Sequence, residues 1–320
     1  MWFIVTLLTM WALAALYIDV RIPTLRMPLM SLYALGIVLI LAKSEGRPRA
    51  AALCFVSFCI VLVWWLGLEP SNNGPWQADA DRIGWSETHG DRVTIHNYRN
   101  CEYRTEFEYA NCWSDKTVDM SQLRAMDLFF INWGPRWMDH TIASFQFGED
   151  EHVAFSIERR AKVGQPYSPV LALNRQYELA FVAADERDVI RLRTNYRKGE
   201  EVYLYRFKVR PEEARDIFRS YLSYLNRLTN HPQWYNALTR NCTTTMSSKI
   251  VGDSSMPRSW NFQILLNGTL DELLYSRGRL VTGSLPFLVL KQREHINAAA
   301  RAADQSPDFS ARIRTGRIGF

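Results

Sequence analysis

The chain has 320 residues, of which 48% are hydrophobic and 22% charged, and its formal net charge is +5. Its 38 basic and 33 acidic residues nearly balance, and no basic run is interleaved with stacking aromatic residues, which argues against nucleic acid as a partner. The length is sufficient for one large domain or two small ones.

Three apolar runs without a charged residue predict membrane-spanning helices at residues 2–18, 27–42 and 50–68. A bilayer core of about 30 Å requires roughly 20 helical residues, so the second run is short and is best explained as the second leg of a hairpin. The N-terminus lacks the basic segment of a signal peptide, which predicts an uncleaved anchor. We therefore predict an anchor over residues 1–69, a linker over 70–82 and a soluble domain over 83–320.

Positive charges in the two short loops predict the orientation of this anchor. The second loop carries Lys43, Arg47 and Arg49, whereas the first carries Arg21 and Arg26. Three charges against two place the second loop in the cytoplasm and residues 70–320 on the opposite side. A cytoplasmic main domain stays open as the alternative, because the margin is a single charge.

The five cysteines divide into three groups. Cys54 and Cys59 lie in the third apolar run and are expected to behave as small apolar residues. Cys101 and Cys112 lie close together in a polar stretch and can form a disulfide if the domain faces an oxidising compartment. Cys242 has no obvious partner, which leaves open whether it is structural or reactive.

The soluble part is predicted to be α+β, with one antiparallel sheet and helices packed to one side. Period-two patterns predict strands at residues 92–98, 126–133, 140–147, 152–158, 178–183, 189–193 and 202–209. The sequence "GEDE" at 148–151 predicts a hairpin turn. Helical periodicity covers residues 211–228, a shorter helix is expected to begin at Cys242, and residues 260–274 are also predicted to be helical.

Candidate catalytic residues remain after the common motifs are excluded. The chain has no G-x-S-x-G, H-E-x-x-H, C-x-x-C or phosphate-binding glycine loop, and we predict neither a metal nor a cofactor. A helix N-terminus would stabilise the thiolate of Cys242, and His140 at the head of a strand is the candidate base. A hairpin that turns at "GEDE" places Glu158 opposite His140 to within one residue. Glu158 is therefore the candidate for the carboxylate that orients the imidazole.

Each of these three residues also has a structural interpretation. Cys242 is compatible with a buried structural thiol, with Asn241 acting only as a helix cap. His140 is compatible with the cap of a strand, and Glu158 with one half of a surface ion pair that contributes little to stability. His152, beside the predicted turn, is expected to be solvated. The residues alone leave these alternatives open.

Three separated motifs resemble a known bacterial family. They are "WGPRWMDHTIASFQFGEDEHVAFSIERR", "RQYELAFVAADERDVIRLRTNYR" and "QWYNALTRNCTTT". In this order they resemble the Lnb N-terminal periplasmic domain family, over roughly residues 70–315. The order of a histidine strand, a sheet and an Asn-Cys helix is similar to circularly permuted papain-like proteins, which include lipid-handling acyltransferases. The resemblance implies that Cys242 is the nucleophile and His140 its base.

The same resemblance implies an activity and a location. The family's named activity is lipoprotein N-acylation, in which an acyl chain moves from a membrane phospholipid to the α-amino group of a lipoprotein. It implies a multi-pass protein of the bacterial inner membrane with a periplasmic main domain. Members with that activity carry further domains, so the lipoprotein acceptor is less firmly implied than the thiol chemistry. The alternatives are a cysteine hydrolase or peptidase of the cell envelope and a non-catalytic envelope binding module. The oligomeric state is not indicated.

Overall fold

The structure is a computed structural model that describes residues 1–110, 112–134, 139–166, 168–236 and 269–320. The predicted helix that begins at Cys242 lies outside these residues, as does most of the predicted helix at 260–274. The other predicted elements fall within them.

The region predicted to be the anchor consists of three helices: α1 (Trp2–Asp19), α2 (Pro23–Lys43) and α3 (Arg47–Leu66). Each is long and apolar enough to cross a membrane. The second helix has 21 residues, more than the uncharged run predicts, because its end turns include Arg26 and Lys43. The indole Nε1 of Trp65 donates a hydrogen bond to the carboxylate of Asp19 at 2.7 Å. The C-terminal ends of α1 and α3 therefore meet at the same end of the bundle.

An eight-stranded sheet forms the centre of the soluble part, with the strand order β1-β2-β9-β8-β7-β6-β10 and with β5 paired to β2. Its strands are β1 (Trp85–His89), β2 (Arg92–Arg99), β5 (Trp113–Asp119), β6 (Leu123–Asn132), β7 (Asp139–Phe147), β8 (Glu151–Arg160), β9 (Glu178–Ala184) and β10 (Glu201–Arg206). A separate hairpin consists of β3 (Glu102–Tyr103) and β4 (Tyr109–Ala110). The pairs are antiparallel, except that β2 runs parallel to β9 where Arg99 meets Ala184.

Helices cover both faces of this sheet. They are α4 (Pro169–Leu173), α5 (Glu186–Arg191), α6 (Pro211–Asn230), α7 (Leu270–Ser276), α8 (Phe287–Arg293), α9 (Asn297–Ala302) and α10 (Phe309–Arg314). Apolar residues of α6 pack with Phe145 and Phe155 on one face, whereas residues of α5, α9 and α10 pack with Ile142 and Ala154 on the other. The prediction of helices on one side only was wrong, because β7 and β8 carry apolar residues on both faces and both must be covered.

One predicted strand was also wrong. Residues 189–193 lie in α5 and in the π-helical turn Leu192–Tyr196 that follows it. The Asp185 side chain caps α5 by accepting from the amide of Arg187, and Glu186 and Asp188 occupy the first turn. These N-terminal signals outweigh the β-branched pair at 189–190. The α+β class is confirmed, while the circularly permuted papain-like arrangement stays a prediction.

Candidate functional site

The site is built around His140, the second residue of β7. Side chains alternate between the two faces of a strand, so His140 shares its face with Ile142. Ala143, Phe145 and Phe147 belong to the core on the opposite face. His140 is buried, and it lies where β7 begins, at the end of the sheet that also holds the last residues of β8.

The register between β7 and β8 determines what lies beside this histidine. Ile142 pairs with Ser156 across the antiparallel ladder. Continuing the ladder by two residues on each strand brings Glu158 opposite His140, which is the predicted juxtaposition. Ser156 and Glu158 are two residues apart on β8 and therefore share a face.

A hydrogen-bonded row joins these three side chains. Nε2 of His140 lies 2.8 Å from Oγ of Ser156, and Ser156 Oγ donates to Oε1 of Glu158 at 3.0 Å. The only hydroxyl hydrogen of Ser156 is used in the bond to Glu158, so its oxygen must accept from the ring. Nε2 of His140 therefore carries a hydrogen, and the ring lone pair is on Nδ1. Ser156, rather than Glu158 directly, orients the imidazole.

Two arginines hold Glu158 in its ionised form. Arg99 Nη1 lies 3.4 Å from Oε2 and Arg193 Nη2 lies 3.7 Å from Oε1 of Glu158. Burial alone would raise the pKa of Glu158, but the charges of Arg99 and Arg193 outweigh it and lower the pKa below its usual range. The side chains of Glu158 and Arg99 are 18% and 1% exposed, so this is a largely buried cluster and not a surface ion pair.

His140 is neutral in this environment. Burial, together with the positive charges of Arg193 and Arg197, lowers the pKa of His140 to about 3, although Glu158 opposes the shift. A neutral imidazole can accept a proton, which an imidazolium cannot do. An anion formed beside the ring would raise this pKa and favour proton transfer to Nδ1.

A cavity of ≈ 280 Å³ opens beside the ring. Among the residues that the structure describes, its wall includes two aromatic side chains, Trp133 and Tyr235. The described part of the wall also carries charged side chains of both signs: Asp79, Glu106, Glu158, Arg159, Arg193, Arg197 and Glu200. His140 therefore borders a polar cavity that has two aromatic side chains in its wall.

This cavity lies at the end of the sheet that faces the anchor. Tyr235 lines it, and the neighbouring Trp234 donates from its indole nitrogen to the carbonyl of Leu68 at 3.0 Å. Leu68 is two residues beyond the last residue of α3. Ala161, on another part of the wall, accepts from the amide of Gln77 in the predicted linker region at 3.0 Å. The cavity and the end of α3 are therefore neighbours.

The predicted pair of cysteines lies close to the same cluster. The structure joins Cys101 and Cys112 in a disulfide. The amide of Cys101 donates to Asp188 at 2.6 Å, and Nη2 of Arg99 lies 3.0 Å from the same carboxylate. Burial raises the pKa of Asp188 to about 6, although Arg99 opposes the shift. Arg99 thus links the disulfide loop to Glu158.

The other predicted residues have different outcomes. Cys242 and Asn241 lie outside the residues that the structure describes, so the pairing of Cys242 with His140 stays a prediction. The expectation that His152 is solvated was wrong, because this residue is buried and its Nδ1 donates to the carbonyl of Asp150 at 3.1 Å. Cys54 and Cys59 are free thiols within α3.

Sequence reasoning missed Ser156, Arg99 and Arg193. Ser156 had a usable signal, since it lies two residues before Glu158 on the same face of a strand. Arg99 and Arg193 had no such signal in the sequence, because they come from β2 and from the π-helical turn, far from Glu158 in the chain. Within the described part of the chain, no group of three or more His, Cys, Asp or Glu side chains could hold a metal ion.

Comparison with known proteins connects this geometry to a family. Residues 108–253 match the family model described as the Lnb N-terminal periplasmic domain, and the match includes His140, Glu158 and Cys242. No curated protein and no solved structure matches the chain. The family and the three apolar helices together fit a membrane protein with a periplasmic, envelope-associated domain. The match over residues 108–253 supports the family that the three sequence motifs suggest.

Proposed function

We propose that this protein is a membrane-anchored, thiol-dependent acyltransferase that uses Cys242 as nucleophile and His140 as base. The observation that carries the proposal is the row from His140 through Ser156 to Glu158, in a cavity beside the end of α3. A neutral imidazole with its lone pair on Nδ1 and an ionised carboxylate behind it has the properties of a base that activates a thiol.

The reaction proceeds in two halves. Nδ1 of His140 takes the thiol proton of Cys242, and the sulfur attacks an ester carbonyl of a phospholipid. The acyl–oxygen bond breaks, the lysophospholipid oxygen takes the proton from His140, and a thioester remains on Cys242. The α-amino group of a lipoprotein then attacks this thioester. An amide forms, the amine loses a proton, and the thiol is restored.

The position of the cavity supports a lipid as the acyl donor. The indole of Trp234 contacts the chain two residues beyond α3, and the next residue, Tyr235, lines the cavity. Phospholipid esters lie near the boundary between headgroups and acyl chains. A cavity close to the end of α3 therefore shortens the distance between a phospholipid ester and His140. The lipoprotein acceptor rests on the family resemblance.

A hydrolase is the second candidate because the cavity wall carries charged side chains. Asp79, Glu106 and Glu200 make the chamber polar, and a polar chamber admits water. Water would resolve the same thioester to a free fatty acid. The two candidates share Cys242 and His140 and differ in the second half of the reaction.

We propose the bacterial inner membrane as the location, with α1, α2 and α3 crossing it and the main domain in the periplasm. The family description and the three apolar helices support this assignment. A reporter fused after Phe320 tests it. Activity of a periplasm-specific reporter is expected, and activity of a cytoplasm-specific reporter alone would contradict the assignment.

Mass spectrometry of the full chain in vesicles tests the chemistry. With phospholipid that carries a labelled acyl chain, we expect an acyl adduct on Cys242 that is absent in Cys242→Ser and strongly slowed in His140→Ala. His89→Ala, which changes an exposed histidine, is the control and should retain the adduct. Adding a lipoprotein acceptor should yield an N-acyl product, whereas release of free fatty acid alone would favour the hydrolase. Acyl labelling that persists without Cys242 would exclude both.

A further inference from the structure

The described part of the connection between β8 and β9, residues 161–166 and 168–177, is held against the anchor. Arg175 Nη1 donates to the carbonyls of Leu66 and Leu68 at 3.1 and 2.5 Å, and its guanidinium lies 4.2 Å from the ring centroid of Trp65. Gln176 Nε2 donates to Asp19 at 2.7 Å. These contacts hold the connection against the adjoining ends of α1 and α3.

The length of α3 indicates where the bilayer ends relative to this connection. The helix begins with Arg47 and Arg49, which lie outside the hydrocarbon, and its uncharged part runs from Ala50 to Leu66. At about 1.5 Å per residue this part spans roughly 26 Å, slightly less than a hydrocarbon core of about 30 Å. The hydrocarbon boundary on the side of the soluble domain therefore lies at or just beyond Leu66. Trp65 and Arg175 lie at this level, where aromatic rings and cationic side chains are favoured.

Three exposed apolar side chains belong to the same connection. Val170 and Leu173 are 58% and 45% exposed and lie three residues apart on α4, so they share a face. Leu173 precedes Arg175 by two residues. Val163 is 71% exposed on a neighbouring turn. Gln165, in that turn, donates to the carbonyl of Gln176 at 3.1 Å, which ties the turn to the anchor contact.

We propose that the described part of this connection, residues 161–166 and 168–177, forms an interfacial membrane contact in which Val163, Val170 and Leu173 enter the boundary between lipid headgroups and acyl chains. Single exposed apolar residues are common on protein surfaces and need no partner. These three differ because hydrogen bonds hold their segment at the level where α3 leaves the hydrocarbon. The occupant of this surface is therefore lipid, continuous with the lipid around the spanning helices.

This contact is independent of the proposed chemistry but has a consequence for it. Arg159 and Ala161 line the cavity at the point where β8 passes into the connection. A connection embedded in the headgroup region would hold that wall at a constant height above the hydrocarbon. The contact would thus fix the position of the cavity relative to the lipid surface.

Environment-sensitive labels on single cysteines test the contact in the full chain. Cys54, Cys59 and Cys242 are replaced by alanine, and the disulfide-bonded pair is left in place. A nitrobenzoxadiazole label is attached at Val170→Cys or Leu173→Cys, in vesicles of phosphatidylethanolamine and phosphatidylglycerol. The matched control is Glu149→Cys, an exposed residue beyond the far end of β7, about 30 Å from the His140 end at roughly 3.4 Å per residue.

Labels at 170 and 173 are expected to emit at shorter wavelength than the label at 149, to be quenched by spin-labelled phospholipid and to be protected from aqueous iodide. Emission and iodide quenching equal to those of the control would overturn the proposal. A blue shift without quenching by the spin-labelled lipid would overturn it as well, because it would indicate a protein partner instead of lipid.

Discussion

The imidazole of His140 donates from Nε2 to the hydroxyl of Ser156 across 2.8 Å, and this bond decides which ring nitrogen is basic. Ser156 has no second hydrogen to give, because its hydroxyl donates to Glu158. The proton acceptor is therefore Nδ1. The proposed reaction depends on this tautomer, and several of the following predictions test it or the groups that maintain it.

Ser156→Ala should slow acylation of Cys242 by at least about tenfold, because the ring loses the contact that selects its tautomer. A positioned base contributes roughly 10²–10⁴-fold, which sets the upper range of the effect. The measurement is the rate of acyl-adduct formation by mass spectrometry. Ser144→Ala is the matched control, since Ser144 is another buried serine that donates to a carboxylate, Glu186, at 2.6 Å. Equal rates in the two variants would show that Ser156 does not position His140.

The lowered pKa of His140 predicts acid sensitivity of the fold. Its pKa is about 3 in the native protein and about 6.5 in an unfolded chain, so the unfolded state binds more protons between these values. This contribution makes the free energy of unfolding decrease as the pH falls from about 6.5 toward 3. His140→Gln should therefore show a weaker decrease in thermal midpoint between pH 7 and pH 5, followed by tryptophan fluorescence.

The control for this pH experiment is His89→Gln, because His89 is exposed. It should keep the pH dependence of the unaltered protein. Glu158 has a lowered pKa, so its contribution is present above the unfolded value of about 4.3 and is lost below it. Restricting the comparison to pH 5 and above separates His140 from Glu158. An unchanged slope in His140→Gln would contradict the neutral, buried state of this histidine.

Glu158→Gln should destabilise the protein by about 3 kcal/mol, because Arg99 and Arg193 lose a largely buried counter-charge. Thermal or denaturant unfolding at neutral pH measures the change. Glu108→Gln removes one half of the exposed pair with Arg104 and should produce no measurable change. If both variants unfold alike, the cluster around Glu158 is not a source of stability.

Loss of the disulfide should also lower stability. Replacing both Cys101 and Cys112 by serine opens a loop of sequence separation 11, for which chain entropy predicts a loss of about 3 kcal/mol. A reducing agent should lower the thermal midpoint of the unaltered protein to that of the double variant, and it should leave the midpoint of the double variant unchanged. A reductant effect of the same size in both proteins would point to another cause.

Much of the site could be predicted from local patterns. The alternation of residues 140–147 and 152–158 about a short turn predicts the register to within one residue, and the ladder of the structure places His140 and Glu158 opposite each other. Ser156 was missed because the alternation of residues along a strand shows which side chains share a face, but not which of them forms a hydrogen bond with the imidazole. Arg99 and Arg193 were missed because they arrive from β2 and from the turn after α5, where only tertiary packing brings them to Glu158.

The errors in the fold have equally specific causes. Residues 189–193 carry β-branched side chains, but the cap at Asp185 and the acidic first turn start a helix there. The second helical layer was missed because the face of β8 and β9 that it covers carries small residues such as Ala154 and Ala180. Such residues contribute little to a hydrophobicity pattern, although they allow helices to pack closely.

The contacts of Asp19, Leu66 and Leu68 have a practical consequence for anyone who wishes to crystallise the soluble part alone. A shortened chain that begins after Leu68 would leave the donors of Arg175, Gln176 and Trp234 without the acceptors they now use. Water would have to replace those acceptors, and the wall that contains Tyr235 would lose its support. Retaining the anchor, in detergent or lipid discs, is therefore the sounder route to an intact chamber.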